Sequence, residues 1–209
     1  LEAIEEHEAV GGDVLITDPY SGEILALFSM REGHVGALSA LNAPFEPGST
    51  LKPFTVAGLL MHGLAGMADS VDVDDGRWEV AGRVLTDTHT EGVLTMREAL
   101  RESSNVGIAK LAQAMSPGLQ YENLRDFGFG TRTGIELPGE VPGTLRRPDQ
   151  WSAQSPASLA IGYEIAVTPL QMVMAYGALA NGGTLMRPRL VRETRKADGT
   201  VLDSREPEI

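Results

Sequence analysis

The chain has 209 residues, 42% of them hydrophobic and 22% charged, enough to bury a sizeable core as one domain or as part of a larger one. A net charge of -12, with the 17 Lys and Arg residues scattered, leaves no basic stripe for a phosphate backbone, so nucleic acid is not an expected partner. The absence of cysteine excludes disulfides, thiolate zinc sites and cysteine nucleophiles, and no apolar run approaches the roughly 20 residues of a membrane span.

In chain order, the opening "LEAIEEHEAVGG" lacks both an initiator methionine and a signal peptide, so the chain reads as an excised segment whose targeting information lies elsewhere. Two β-prone runs, Asp13 to Thr17 and Ile24 to Phe28, flank the turn residues "DPYSG" and predict a hairpin. A loop follows through Pro47. Leu51 to His62 is apolar on nearly every side, which predicts a buried helix whose amino end sits at Ser49. The acidic stretch Asp69 to Gly92 is expected to be irregular with short strands. Thr95 begins a helix through the capping box "TMRE", and a second helix is predicted over Val106 to Met115, ended by Pro117. In "TPLQMVMAYGALANGG", Thr168 is the cap, Pro169 the first helical position, Gln171 the completion of a capping box, and Asn181-Gly182-Gly183 the stop. The tail predicts a hairpin around Asp198-Gly199.

The chemistry-bearing residues lie at two places. A serine hydroxyl needs an adjacent base and an oxyanion hole to act as a nucleophile. In "FEPGSTLKPF", Ser49 and Lys52 are three positions apart, hence on one face of a helix whose free amino-end N–H groups favour developing negative charge. Lys52 would have to be neutral part of the time, and its neighbours Leu51, Pro53, Phe54 and Val56 are suitably apolar. The competing view is a helix-capping serine followed by a surface lysine. With 12 serines and 3 lysines, a Ser-x-x-Lys match arises by chance about 0.2 times, so the spacing alone does not decide. Ser103-Ser104-Asn105 is weaker still, since polar triplets commonly form turns between helices.

Order and context change this. Ser49-x-x-Lys52 followed by Ser103-x-Asn105 resembles the first two motifs of penicillin-binding proteins and serine β-lactamases, a motif set whose third element is Lys-Thr-Gly. The stretches "PFEPGSTLKPF", "SSNVGIAKLA", "FGFGTRTGIELPGE" and "VTPLQMVMAYGALANGG" are similar, in the same order, to those of class B penicillin-binding proteins, the monofunctional transpeptidases of division and elongation. The resemblance implies an α/β (α+β) fold of the penicillin-binding protein and β-lactamase type, with an antiparallel sheet between helical layers. Residues 1–209 would be one partial transpeptidase domain, its later sheet strands absent from this chain or supplied by another chain or by self-association.

By resemblance, Ser49 would attack the D-Ala-D-Ala carbonyl of a peptidoglycan stem peptide and Lys52 would take its proton. Ser103 would relay a proton to the leaving amine, and Asn105 would bind the donor amide or help fix Lys52. β-Lactams would acylate Ser49. No cofactor and no metal are implied. The setting would be the extracytoplasmic face of a bacterial cytoplasmic membrane, with the anchor outside this chain and membrane proteins of cell-wall synthesis as partners. Alternatives are a β-lactam-binding or sensing module, an inactive scaffold of cell-wall assembly and, further off, a serine β-lactamase.

Two departures from the family pattern stand out. No Lys-Thr-Gly or Lys-Ser-Gly occurs, and "TRTG" at Thr131 to Gly134 belongs to a different family stretch, so it is expected to be structural. Glu164 in "IGYE" stands where the family usually has glycine, and its side chain is expected to face solvent. His7, His34, His62 and His89 show no metal-site spacing. The acidic "DVDDG" lacks the distal glutamate of a calcium loop and is assigned to solvent.

Overall fold

The structure, a computed structural model, describes residues 4, 6–36, 38–88 and 92–209. It divides into two compact units, each assembled from separated segments: residues 1–44, 127–143 and 167–209, and residues 45–126 and 144–166.

The first unit is built on an antiparallel sheet of Gly11–Thr17, Ile24–Arg31 and His34–Val35. The predicted hairpin is present and longer than the alternation alone suggested. Its turn is tied by Asp18, whose carboxylate accepts the N–H groups of Tyr20 and Ser21 at 2.9 and 2.8 Å. Leu15 and Leu27 face each other in the register and pack with Leu41, Leu170 and Met174, while Val14 and Ile16 on the other face are exposed. The covering helix Pro169–Ala180 carries the capping box read from the sequence: the Thr168 hydroxyl accepts from Gln171 N–H at 3.1 Å and Gln171 Oε1 accepts from Thr168 N–H at 2.9 Å. Thr168 is fully buried, so Thr168→Ala should destabilise the protein by about 1 kcal/mol whereas Thr168→Ser should not. Equal melting temperatures for wild type and Thr168→Ala would refute this. The tail forms the expected hairpin, Glu193–Arg195 against Val201–Ser204.

"TRTG" belongs to this unit. The Glu140 carboxylate accepts from Thr133 N–H and Oγ1, both at 2.6 Å, and from Gly134 N–H at 3.1 Å, so Thr133 closes a loop around a buried carboxylate.

The second unit is mainly helical, with helices at Lys52–Met61, Met96–Arg101, Asn105–Ala112, Pro117–Asp126 and Ser155–Ala160. Short antiparallel pairs, Ser70–Asp72 with Val93–Thr95 and Arg77–Val80 with Arg83–Thr86, supply the small strands expected in the acidic stretch. The capping box at Thr95 and Glu98 forms. The helix expected over Val106 to Met115 runs over Asn105–Ala112 and stops before reaching Pro117, which instead starts a further helix, Pro117–Asp126, because a missing N–H costs nothing in a first helical turn. The core gathers Val56, Leu59, Met96, Val106, Ile108 and Ile161. "DVDDG" does not simply face solvent: Lys110 donates to the Asp72 carbonyl at 2.8 Å and pairs with Asp74 at 2.7 Å. Among the described residues no helix is long and apolar enough to cross a membrane, and no His, Asp and Glu cluster is placed to hold a metal; His89 lies outside the described residues.

Candidate active site

Ser49 sits in a single 3-10 turn, Gly48–Leu51, that runs into the helix Lys52–Met61. Pro53 at the start of that helix costs no backbone hydrogen bond, and the Lys52 N–H closes the turn onto the Ser49 carbonyl. The nucleophile candidate is exposed and the base candidate is not: Lys52 is only 1% exposed, beside the fully buried Leu51 and Phe54. The helix carrying it is held by Thr55 Oγ1, which donates to the Ala160 carbonyl at 2.9 Å.

The Lys52 amine is satisfied from a segment about fifty residues away. Nζ donates to the Ser103 carbonyl at 2.5 Å and to the Ser103 hydroxyl at 3.0 Å. Ser103 is in the left-handed region at φ 57, an unusual place for a residue with a Cβ, in the turn between Met96–Arg101 and Asn105–Ala112. Ser104 is the cap of the second helix, accepting from Gly107 N–H at 2.8 Å; a Cβ at position 107 would lie 2.9 Å from the Ser104 hydroxyl. Asn105 is the first helical residue, and its Nδ2 donates to the Thr86 carbonyl at 2.9 Å. Ser49, Lys52, Ser103 and Asn105 thus all lie in one unit. The amine spaced for Ser49 spends its hydrogen bonds on Ser103, and the Asn105 amide is turned to Thr86.

Sequence reasoning missed Asp87. Its carboxylate accepts from Ser104 Oγ at 2.5 Å, from Asn105 N–H at 2.6 Å and from Val106 N–H at 3.1 Å, so it satisfies free N–H groups at the start of the Asn105 helix and holds the Ser103 turn against the strand that ends at Thr86. Nothing in the local pattern around "LTDTH" marks it. Burial pulls the Lys52 ammonium down to about 8, with the negative charge of Asp87 acting in the opposite direction.

The second flank of the Ser49 turn is the segment Gly162–Glu164. Gly48 N–H donates to the Gly162 carbonyl at 3.0 Å, and a Cβ on Gly162, at φ 84, would lie 2.0 Å from the Gly48 carbonyl oxygen. Only glycine permits that approach. Glu164 does not simply face solvent as expected: its side chain is partly exposed but bonded. Residue 164 adopts φ 61, the conformation in which glycine is at ease, and its carboxylate accepts from Arg146 Nη2 at 2.5 Å and from Ser155 Oγ at 2.7 Å. Side-chain bonds hold a backbone geometry that only glycine reaches without steric cost.

A model of the penicillin binding protein transpeptidase domain matches residues 12–208. Penicillin-binding protein PbpB of Mycolicibacterium smegmatis is 39% identical, over 93% of this chain and 32% of that protein. Peptidoglycan D,D-transpeptidase FtsI of Escherichia coli is 30% identical, over 89% of this chain and 33% of that protein. Among solved structures, penicillin-binding protein 3 of Mycobacterium tuberculosis complexed with aztreonam has a TM-score of 0.89 at 31% identity, covering 99% of this chain and 49% of that one. The chain spans about a third of the length of these curated relatives. With its motifs gathered in one unit and the family pattern running almost from end to end, the chain belongs to the penicillin-binding protein transpeptidase family.

Proposed function

We propose that the protein is a peptidoglycan D,D-transpeptidase, in which Ser49 is the nucleophile, Lys52 the base, Ser103 the proton relay and Asn105 a donor-amide ligand. Residues 1–209 form part of its transpeptidase domain. The observation that carries this is the buried Lys52 amine, one helical turn from the exposed Ser49 and bonded to Ser103. A neutral amine has two N–H donors and one lone pair. Both donors are accounted for by Ser103, which leaves the lone pair to accept the Ser49 proton, and with the ammonium brought to about 8 a useful neutral fraction exists near neutral pH.

In the first step Ser49 Oγ bonds to the carbonyl carbon of the penultimate D-alanine while its proton passes to Lys52. The C–N bond to the terminal D-alanine then breaks, and that amine leaves with a proton delivered through Ser103. The amine of a second stem peptide attacks the resulting ester, forms the cross-link and releases Ser49 with its proton restored. A β-lactam enters the same first step, but its ring nitrogen stays tethered after the ring opens. Support comes from relatives named as D,D-transpeptidases and from solved relatives complexed with aztreonam and with ampicillin. The site of action is the outer face of the cytoplasmic membrane, with cell-wall synthesis proteins as partners.

Intact mass spectrometry of the full-length protein exposed to benzylpenicillin should show a gain of one whole drug molecule, since ring opening expels no atom, and peptide mapping should place it on Ser49. Labelling of another residue, or none, would remove the assignment.

A further inference from the structure

The proposed chemistry makes no use of Glu164, yet this residue is held by three hydrogen bonds, two to its carboxylate and one from its N–H. Its left-handed backbone costs a residue with a Cβ about 1–2 kcal/mol, so something must hold it there. Two side-chain bonds do, from Arg146 at 2.5 Å and Ser155 at 2.7 Å. Ser155 is fully buried and its own hydroxyl accepts from Ser152 N–H at 2.9 Å, so the anchor is itself fixed. The Trp151 indole N–H donates to the Arg146 carbonyl at 2.8 Å, which ties the other anchor down.

What this geometry orients is the chain before the nucleophile. The N–H of Glu164 donates to Glu46 Oε1 at 3.0 Å, and the carbonyl of Gly162 accepts from Gly48 N–H at 3.0 Å. Segment 162–164 therefore grips segment 46–48 at two points, the second adjoining Ser49. Both contacts depend on backbone groups whose directions are set by the dihedral angles at 162 to 164. Glycine at 164 would permit the required conformation but would not fix it.

We propose, resting on the assignment of Ser49 as nucleophile, that Glu164 is a positioning residue: its carboxylate, clamped by Arg146 and Ser155, holds the 162–164 segment so that the Glu46–Gly48 turn presents Ser49 to the reacting carbonyl. Misplacement of a reacting group by fractions of an ångström is felt in the chemical step more than in binding.

The test compares Glu164→Ala, Glu164→Gly and Glu164→Gln in the full-length protein by two readouts. Hydrogen exchange of residues 46–51 should be faster in the Ala and Gly variants and near wild type in Gln, which keeps an oxygen acceptor. Penicillin acylation, resolved into a binding constant and a first-order step, should lose about tenfold in that step in Ala and Gly, with binding little changed and Gln restoring most of the rate. The Gly variant removes the backbone strain, and a thermal melt of each variant separates a loss of rate from a loss of fold. Unchanged exchange in Ala and Gly would overturn the clamp whatever acylation does. Faster exchange with an unaltered first-order step, in a wild type that is acylated, would overturn its role in presenting Ser49. A wild type that resists acylation would instead sink the nucleophile assignment, and exchange alone would then decide the clamp.

Discussion

Lys52→Met should lower the first-order rate of penicillin acylation by about a thousandfold or more, the usual worth of a positioned base together with the proton route it serves, and should at the same time stabilise the protein at neutral pH. The second effect follows from burial. The ammonium falls from an ordinary value of 10.5 to about 8, so between those two values the folded protein binds fewer protons than the unfolded chain and its stability rises with pH. The cost of the buried lysine is fully present below pH 8 and relieved above 10.5. A depression of that size corresponds to about 3 kcal/mol; the bonds to Ser103 that methionine cannot make offset part of the gain, leaving roughly 1–2 kcal/mol. Thermal melts of wild type and variant should therefore differ in favour of methionine at pH 7, and the difference should shrink as pH approaches 10. In the wild type, acylation should climb with an apparent pKa near 8. A variant that is acylated at the normal rate, or that melts lower than wild type at pH 7, would contradict the role and the energetics respectively.

Gly162→Ala should be the most damaging single-methyl addition in the neighbourhood of Ser49. The new Cβ would start 2.0 Å from the Gly48 carbonyl oxygen and 2.6 Å from Gly48 C and N, all backbone atoms that cannot swing away. Relief requires the two segments to part, which breaks the Gly48–Gly162 hydrogen bond and shifts the residue before Ser49. The left-handed conformation at φ 84 adds its own penalty. Together these predict a loss of at least about 2 kcal/mol in stability and about a hundredfold in acylation. Gly63 is the matched control: it has φ 62, lies just past the Lys52 helix and has open space where the Cβ would go. Gly63→Ala should cost only the conformational strain, about 1 kcal/mol, and leave acylation intact. If chemical denaturation and acylation rank the two variants alike, close backbone approach is not what position 162 requires.

The sequence by itself determined the features that depend on neighbours within a few positions. The capping boxes at Thr95–Glu98 and Thr168–Gln171 were readable because donor and acceptor are three residues apart and the helix brings them together whatever surrounds it. The hairpin turns at "DPYSG" and Asp198-Gly199 were readable for the same reason. Pro117 was misread as a stop: the preceding helix ends at Ala112, and the ring that would break a helix interior suits the first turn of the next. The family motifs pointed to the site, but the tertiary structure alone decided how it is assembled. Ser103 meets Lys52 across 51 positions, and Asp87 reaches Ser104, Asn105 and Val106 from 17 to 19 positions away. Gly162 closes on Gly48, and Glu164 takes a glycine-like backbone held by Arg146 and Ser155. None of these has a local signature, because each pairing depends on which distant segments the folding of the core brings side by side, and a residue's own propensity says nothing about that.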